Sequence, residues 1–153
     1  MIEAGNEKLL ISQINFSDIK KQYSSYFSSQ LRKKKIELTV SLTNEVVADS
    51  LIQFVSDRDK IDMIIKNLIS NSIKFSPENS EVNLDLILGN GTLSIEVSDH
   101  GKGIHPDDRR IIFDRFKQLD ERINSINTGH GLGLSIVQAY TDLLGGKISL
   151  HDN

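Results

Sequence analysis

Three glycines at alternate positions, Gly129, Gly131 and Gly133, lie in the stretch NTGHGLGLSIVQ at 127–138 and run straight into an apolar-periodic segment. Backbone without side chains lets another molecule approach closely. The first turn of the helix predicted to follow directs N–H groups outward and carries about half a positive charge, which favours an anion by about 0.3–2 kcal/mol. A phosphate chain suits such a place. The P-loop pattern fails, since no lysine followed by Ser or Thr comes after a final glycine. Close packing between helices would also ask for a glycine at 133.

Two further groupings have residue types suited to the same chemistry. In NLISNSIKF at 67–75, Asn67, Asn71 and Lys74 follow at spacings of four and three, so all three project from one side of a helix. Amide oxygens can ligate a hard cation alongside water and phosphate, as Mg²⁺ prefers, and Lys74 can add a point charge. A solvated helix face is the bland alternative, although asparagine is a poor residue for a helix interior. In DHGKGI at 99–104, Gly101 and Gly103 permit a tight turn, while Asp99, at a predicted strand end, can accept a hydrogen bond from an exocyclic amine such as that of adenine. A plain turn explains the same residues. The dinucleotide fingerprint does not, because its third glycine is missing.

The elements that must position these groups can be read from periodicity. Ile19, Tyr23, Tyr26, Phe27 and Leu31 predict one helix from Ser17 to Lys35, with Ser17 or Asp18 as its cap. The run RKKK at 32–35 then complements that helix's own C-terminus. Strands are predicted over 36–42 and 51–55. Ser56 is expected to cap a long helix, with Asp59 three residues on, whose stripe is Ile61, Ile64, Ile65, Leu68, Ile69 and Ile73 and whose stop is Pro77. Alternating runs on either side of Asn90-Gly91 predict a hairpin. A short helix is expected from Pro106 to about Arg115, a 14-residue polar loop over 117–130, a helix from Gly131 to Leu144 closed by Gly145-Gly146, and a strand beginning at GKISL. Phe113 and Phe116 suit core filling or a hinge for the loop, and Arg115, Lys117 and Arg122 suit either phosphate contacts or solvated charge. Together these elements predict an α+β two-layer sandwich with a mixed sheet covered on one face by helices.

Composition narrows the possibilities. With 153 residues, 38% hydrophobic and 25% charged, one buried core is expected. A net charge of −3 gives no basic field for nucleic acid, and the lack of cysteine rules out disulfides and thiolate metal sites. His100, His105, His130 and His151 show no metal-ligand spacing, and there is no Gly-x-Ser-x-Gly turn. No apolar run reaches membrane-span length and no targeting core opens the chain, so a cytoplasmic piece without direct membrane contact is expected, whether or not its parent is anchored in the inner membrane.

In order and spacing, NLISNSIKFSP, DHGKGI, IFDRF and GHGLGLSIV resemble the asparagine, first glycine, phenylalanine and second glycine boxes of the catalytic and ATP-binding domain of sensor histidine kinases. The resemblance implies the Bergerat-type fold, with residues 11–153 as that domain, ending before its last strand, and residues 1–10 as the tail of a dimerisation and phosphoacceptor helix plus linker. It implies ATP and Mg²⁺ as cofactors. Asn71 would ligate Mg²⁺ with Asn67 assisting, Lys74 would approach the phosphates, and these three form the implied catalytic set. Asp99 would hold the adenine amino group, and 117–130 would be a lid. Phe75, where tyrosine is common, Gly101, Gly103, Ile104, Phe113, Phe116 and Arg122 complete the implied nucleotide contacts, together with Gly129, His130, Gly131, Leu132, Gly133 and Leu134 of the second glycine box.

The implied reaction is transfer of the ATP γ-phosphoryl group to a histidine, within a two-component signalling system. No histidine here resembles the phosphoacceptor, so the implied partners are a dimerisation and phosphoacceptor domain outside this chain and, through it, a response regulator. Little turnover is expected of the piece alone. Relatives that activate water or serine resemble a glutamate at position 67; an amide cannot take a proton, which disfavours hydrolysis. The alternatives are an inactive nucleotide-binding regulatory module and an anti-sigma serine kinase.

Overall fold

The computed structural model describes residues 8–45, 53–112 and 133–152. The chain order is β1 (Ile11–Asn15), α1 (Ile19–Tyr26), α2 (Ser28–Lys34), β2 (Glu37–Asn44), β3 (Gln53–Asp57), α3 (Arg58–Phe75), β4 (Glu81–Gly89), β5 (Thr92–Asp99), a 3₁₀ turn (Pro106–Asp108) and α4 (Gly133–Leu143). The fold is α+β, as expected, and one of its sheets is mixed: β4 pairs parallel to β2 and antiparallel to β5. A second, antiparallel pair joins β1 to β3, so the described strands form two sheets where one was expected.

β4 is central because alternation gives it one fully apolar face. Val82, Leu84 and Leu86 are 0% exposed, and they share a core with Ile19, Tyr23 and Phe27 from the first helices and with Ile61, Ile65, Ile69 and Ile73 of α3. On the opposite face Ser41 donates a hydrogen bond to Asp85, its register partner, which ties β2 to β4. The β4–β5 turn places Asn90 at φ 52° and Gly91 at φ 75°, the consecutive positive values a type I′ hairpin requires.

The single helix expected over 17–35 is two helices. Ile19, Tyr23, Phe27 and Leu31 are spaced by four, and each such step drifts about 40° around an ideal helix. All four are buried, and the chain breaks at Phe27 (φ −95°, ψ 6°) between α1 and α2. Tyr26, expected in the stripe, is exposed. Asp18 occupies the cap position of α1 without a side-chain bond, while Ser17 N–H is held by Asn15 Oδ1 at 2.9 Å.

Other boundaries shift for similarly local reasons. β1 was not foreseen: its exposed residues hide any alternation, and Ile14 alone is buried. β3 runs on to Asp57 because it pairs with β1 in the register Ile11↔Asp57; Ser56 thus lies within the strand and cannot cap. The segment from Pro106 makes one 3₁₀ turn followed by hydrogen-bonded turns to Ile112, and 113–115 lie outside the described residues. α4 ends as expected, with Gly145 at φ 76° and bonds Gly145 N–H to Asp142 O and Gly146 N–H to Thr141 O, a Schellman closure. Residues 146–150 form no strand, since no described strand pairs with them; Ile148 instead packs beside Val137 and Tyr140 of α4, and Asp152 accepts from Arg109.

The cap of α3 falls to Asp57, which is 2% exposed. Its carboxylate accepts from Lys60 N–H at 3.2 Å and from Leu10 N–H at 2.8 Å, so one side chain starts α3 and fastens the approach to β1. Burial pushes its pKa up, but the Leu10, Lys60 and Asp59 N–H groups together with the Lys60 charge outweigh burial and lower it from the ordinary value. A carboxylate with a depressed folded pKa stabilises above the unfolded value of about 3.9, and that contribution fades as pH falls through the folded pKa. Asp57→Ala is expected to cost about 1–3 kcal/mol at neutral pH in urea denaturation, with the difference from wild type shrinking below about pH 4. A gap that stays constant down to pH 2 would show that the charge at Asp57 contributes nothing.

Candidate functional site

α3 is the floor on which the sequence-predicted residues meet. Asn67 and Asn71 are half-buried one turn apart. The Asn67 amide donates through Nδ2 to Met63 O at 2.7 Å, four residues back, which turns its Oδ1 toward the start of α4. There Gly133 sits so close that a Cβ on it would lie 3.1 Å from Asn67 Oδ1, 3.6 Å from Asn71 Nδ2 and 3.8 Å from Asn71 Oδ1. Gly133, the last glycine of the second glycine box, therefore sits against the asparagine box. Two amide side chains lie under the N-terminus of an 11-residue helix, whose dipole favours negative charge at that end. α4 is held there by Val137 and Tyr140, which pack with Ile64 of α3.

The far end of α3 meets the first glycine box. Asp99 closes β5, and its Oδ1 accepts from Gly101 N–H at 2.8 Å, an Asx turn. A Cβ on Gly101 would lie 2.9 Å from that oxygen and 3.0 Å from Phe75 O. The backbone of the turn thus rests on the last turn of α3. Gly103 adopts φ 72°, which a side chain would resist, and Ile104 O accepts from Arg109 Nε at 3.3 Å.

Lys74 is half-buried, with Nζ 5.4 Å from the centroid of the exposed Phe75 ring. Burial lowers the pKa of its ammonium, a cost that a nearby anion would offset. Leu134 is half-buried at the start of α4. His100 and His105 are exposed, and His105 Nδ1 accepts from Asp107 N–H at 3.2 Å as a cap for the 3₁₀ turn. Among the described residues no cluster of three or more His, Cys, Asp or Glu could hold a metal. Phe113, Phe116, Arg122, Gly129, His130, Gly131 and Leu132 lie outside the described residues, as do Arg115, Lys117 and the loop over 117–130.

Sequence reasoning missed Lys34. The run RKKK was expected to serve its own helix, but the Lys34 ammonium donates to Ile73 O at 2.7 Å, Lys74 O at 2.9 Å and Ser76 O at 2.7 Å, at the C-terminus of α3. A lysine closing α2 offers no signal of an acceptor 39 residues away. The one hint is Pro77, which stops α3 without supplying a glycine cap.

The two glycine contacts differ in what must yield. At Gly101 the obstruction includes backbone, so Gly101→Ala should destabilise by about 1–3 kcal/mol. At Gly133 the nearest atom belongs to a side chain, so Gly133→Ala should cost less than about 1 kcal/mol while displacing Asn67. Urea denaturation of the two variants checks the order; equal stabilities would contradict the close approach at Gly101.

Residues 56–153 match the model of the family described as histidine kinase-, DNA gyrase B-, and HSP90-like ATPase. Hybrid signal transduction histidine kinase D of Dictyostelium discoideum is 33% identical over 156 residues, 99% of this chain and 10% of that protein. The sensor histidine kinase TmoS of Ectopseudomonas mendocina is 34% identical over 152 residues, 99% of this chain and 15% of the relative. The chain thus spans well under a fifth of the length of these two curated relatives. Full-length ShkA in complex with AMPPNP matches 91% of this chain and 27% of its own at 26% identity, with a TM-score of 0.73. The nucleotide-free catalytic domain of histidine kinase ThkA matches 90% of this chain and 85% of its own at 22% identity, with a TM-score of 0.70. The fold is therefore that of a histidine kinase catalytic domain, and the chain belongs to the family of histidine kinase-, DNA gyrase B- and HSP90-like ATPases.

Proposed function

We propose that this chain is the ATP-binding catalytic domain of a sensor histidine kinase, which binds Mg²⁺-ATP and presents its γ-phosphoryl group to a histidine on a separate dimerisation and phosphoacceptor domain. A response regulator would then receive the phosphoryl group from that histidine. The observation that carries the reading is the closure of Gly133 over Asn67 and Asn71, which gathers neutral oxygen donors beneath a helix N-terminus.

Each residue's part follows from its chemistry. Asn71 and Asn67 offer amide oxygens, a donor set that fits Mg²⁺ together with phosphate oxygens and water. When bound, the ion neutralises charge on the phosphates. Lys74 adds a cation whose partial burial strengthens its pull on an anion. Asp99 presents a carboxylate acceptor, whose Oδ1 also holds its turn, and that chemistry suits an exocyclic amine. Position 67 lacks a carboxylate, so no strong base stands ready to activate water, whereas a neutral imidazole acceptor is already nucleophilic. Catalysis would then rest mainly on positioning and charge neutralisation.

Calorimetric titration with a non-hydrolysable ATP analogue, with and without Mg²⁺ and against GTP, tests the reading. Mg²⁺-dependent binding that prefers adenine is expected; no binding by a folded sample would defeat it. Asp99→Asn should weaken ATP binding by about 1.5–3 kcal/mol, and an unchanged affinity would remove Asp99 from adenine recognition. Asn71→Ala should lose the Mg²⁺ enhancement selectively, and an equal loss with and without the metal would count against its role as a ligand. Phosphorylation of a supplied acceptor domain separates a kinase from an inactive regulatory module.

A further inference from the structure

The last turn of α3 poses a problem that the helix cannot solve internally. Its final carbonyls lack intrahelical N–H partners, and the chain leaves at Ser76 (φ −76°, ψ 147°) into Pro77 without the left-handed glycine that usually satisfies them. Lys34 supplies the missing donors, with three N–H bonds from one ammonium to the carbonyls of Ile73, Lys74 and Ser76. Three acceptors converging on one point suit a compact ammonium better than the planar fork of arginine. A positive charge there also complements the negative end of the helix dipole.

Lys34 is itself firmly placed. The next residue, Lys35, takes the left-handed conformation at φ 54°, and Ile36 N–H bonds back to Leu31 O at 2.9 Å. Lys34 O accepts from Asn79 N–H at 3.0 Å, so both its main chain and its side chain hold the corner between α3 and β4. The carbonyl of this run that Lys34 does not take is that of Phe75, and it is this one that the Gly101 backbone approaches. Lys34 therefore holds three carbonyls of this array while the Asp99–Gly101 turn rests against the fourth, Phe75 O.

We propose that Lys34 is a positioning residue of the nucleotide site, fixing the last turn of α3 and, through Phe75 O, the placement of Asp99. The inference rests on the nucleotide-binding reading above. It makes a lysine far from the glycine boxes in sequence a determinant of affinity, without contact to the ligand.

Lys34→Met keeps the aliphatic stem and removes all three donors. Two readouts on the full chain distinguish positioning from simple stabilisation, both taken where circular dichroism shows the variant folded. They are the Gly101 amide resonance in ¹⁵N correlation spectra and the Kd of the ATP analogue. The expected result is a displaced Gly101 resonance and binding weakened about tenfold, with the Mg²⁺ enhancement retained because Asn67 and Asn71 lie further up the helix. A variant with a lowered Tm but an unmoved Gly101 resonance and wild-type Kd would overturn the proposal and leave Lys34 a structural cap. Should the methionine variant not fold, Lys34→Gln, which keeps two N–H donors, carries the same readouts; a smaller change in the same direction supports the role and none overturns it. Failure of the wild-type chain to bind the analogue would instead defeat the nucleotide reading itself, which separates the two outcomes.

Discussion

Everything the site needs depends on α3 being held at both ends by a charge opposite to its dipole. The Asp57 carboxylate occupies the positive end and the Lys34 ammonium the negative end, each bonded to backbone groups the helix leaves unpaired. Between them the helix runs 18 residues, roughly 27 Å at its usual rise. Its Ile61, Ile65, Ile69 and Ile73 face the sheet, its middle carries Asn67 and Asn71, and its last carbonyls support the turn after β5. Neither capping residue belongs to the helix, so its position is specified by β3 on one side and by α2 on the other. A surface pair of charges would be worth little; these are partly or wholly buried and hydrogen-bonded, which gives them weight.

Much of this architecture was legible in the residues. The hairpin followed from Asn90-Gly91 between alternating runs, because consecutive positive φ values restrict the choice of residue. α3 followed from its isoleucine stripe, and the end of α4 from two glycines. What escaped notice depends on partners remote in sequence. β1 has one buried residue, and it forms a strand because β3 offers it a ladder. The break at Phe27 has no signal in the spacing, since Ile61, Ile65, Ile69 and Ile73 repeat every four residues on one unbroken helix. GKISL looked like a strand, but strand propensity has no effect without a neighbour to pair with.

The candidate site shows the same division. Residue types and spacings mark Asn67, Asn71, Asp99, Gly101 and Gly133 as chemically suited, while tertiary structure brings Gly133 to Asn67 and Asn71, and Gly101 to the end of α3. Gly101 is a case in point: a turn and a close approach both ask for glycine, and only packing shows that the object approached is Phe75 O. Lys34 left no local trace, since a lysine at the end of one helix looks the same whichever helix it serves.

The parallel pairing of β2 with β4 has a consequence for how the chain assembles. Glu37 lies opposite Glu81, so this ladder closes a loop of 44 residues, and β3 and all of α3 must be accommodated within it. Loop-closure entropy is lost before such a ladder returns any hydrogen bonds, whereas the β4–β5 hairpin closes across two residues. The difference in contact order favours the hairpin forming before the β2–β4 ladder.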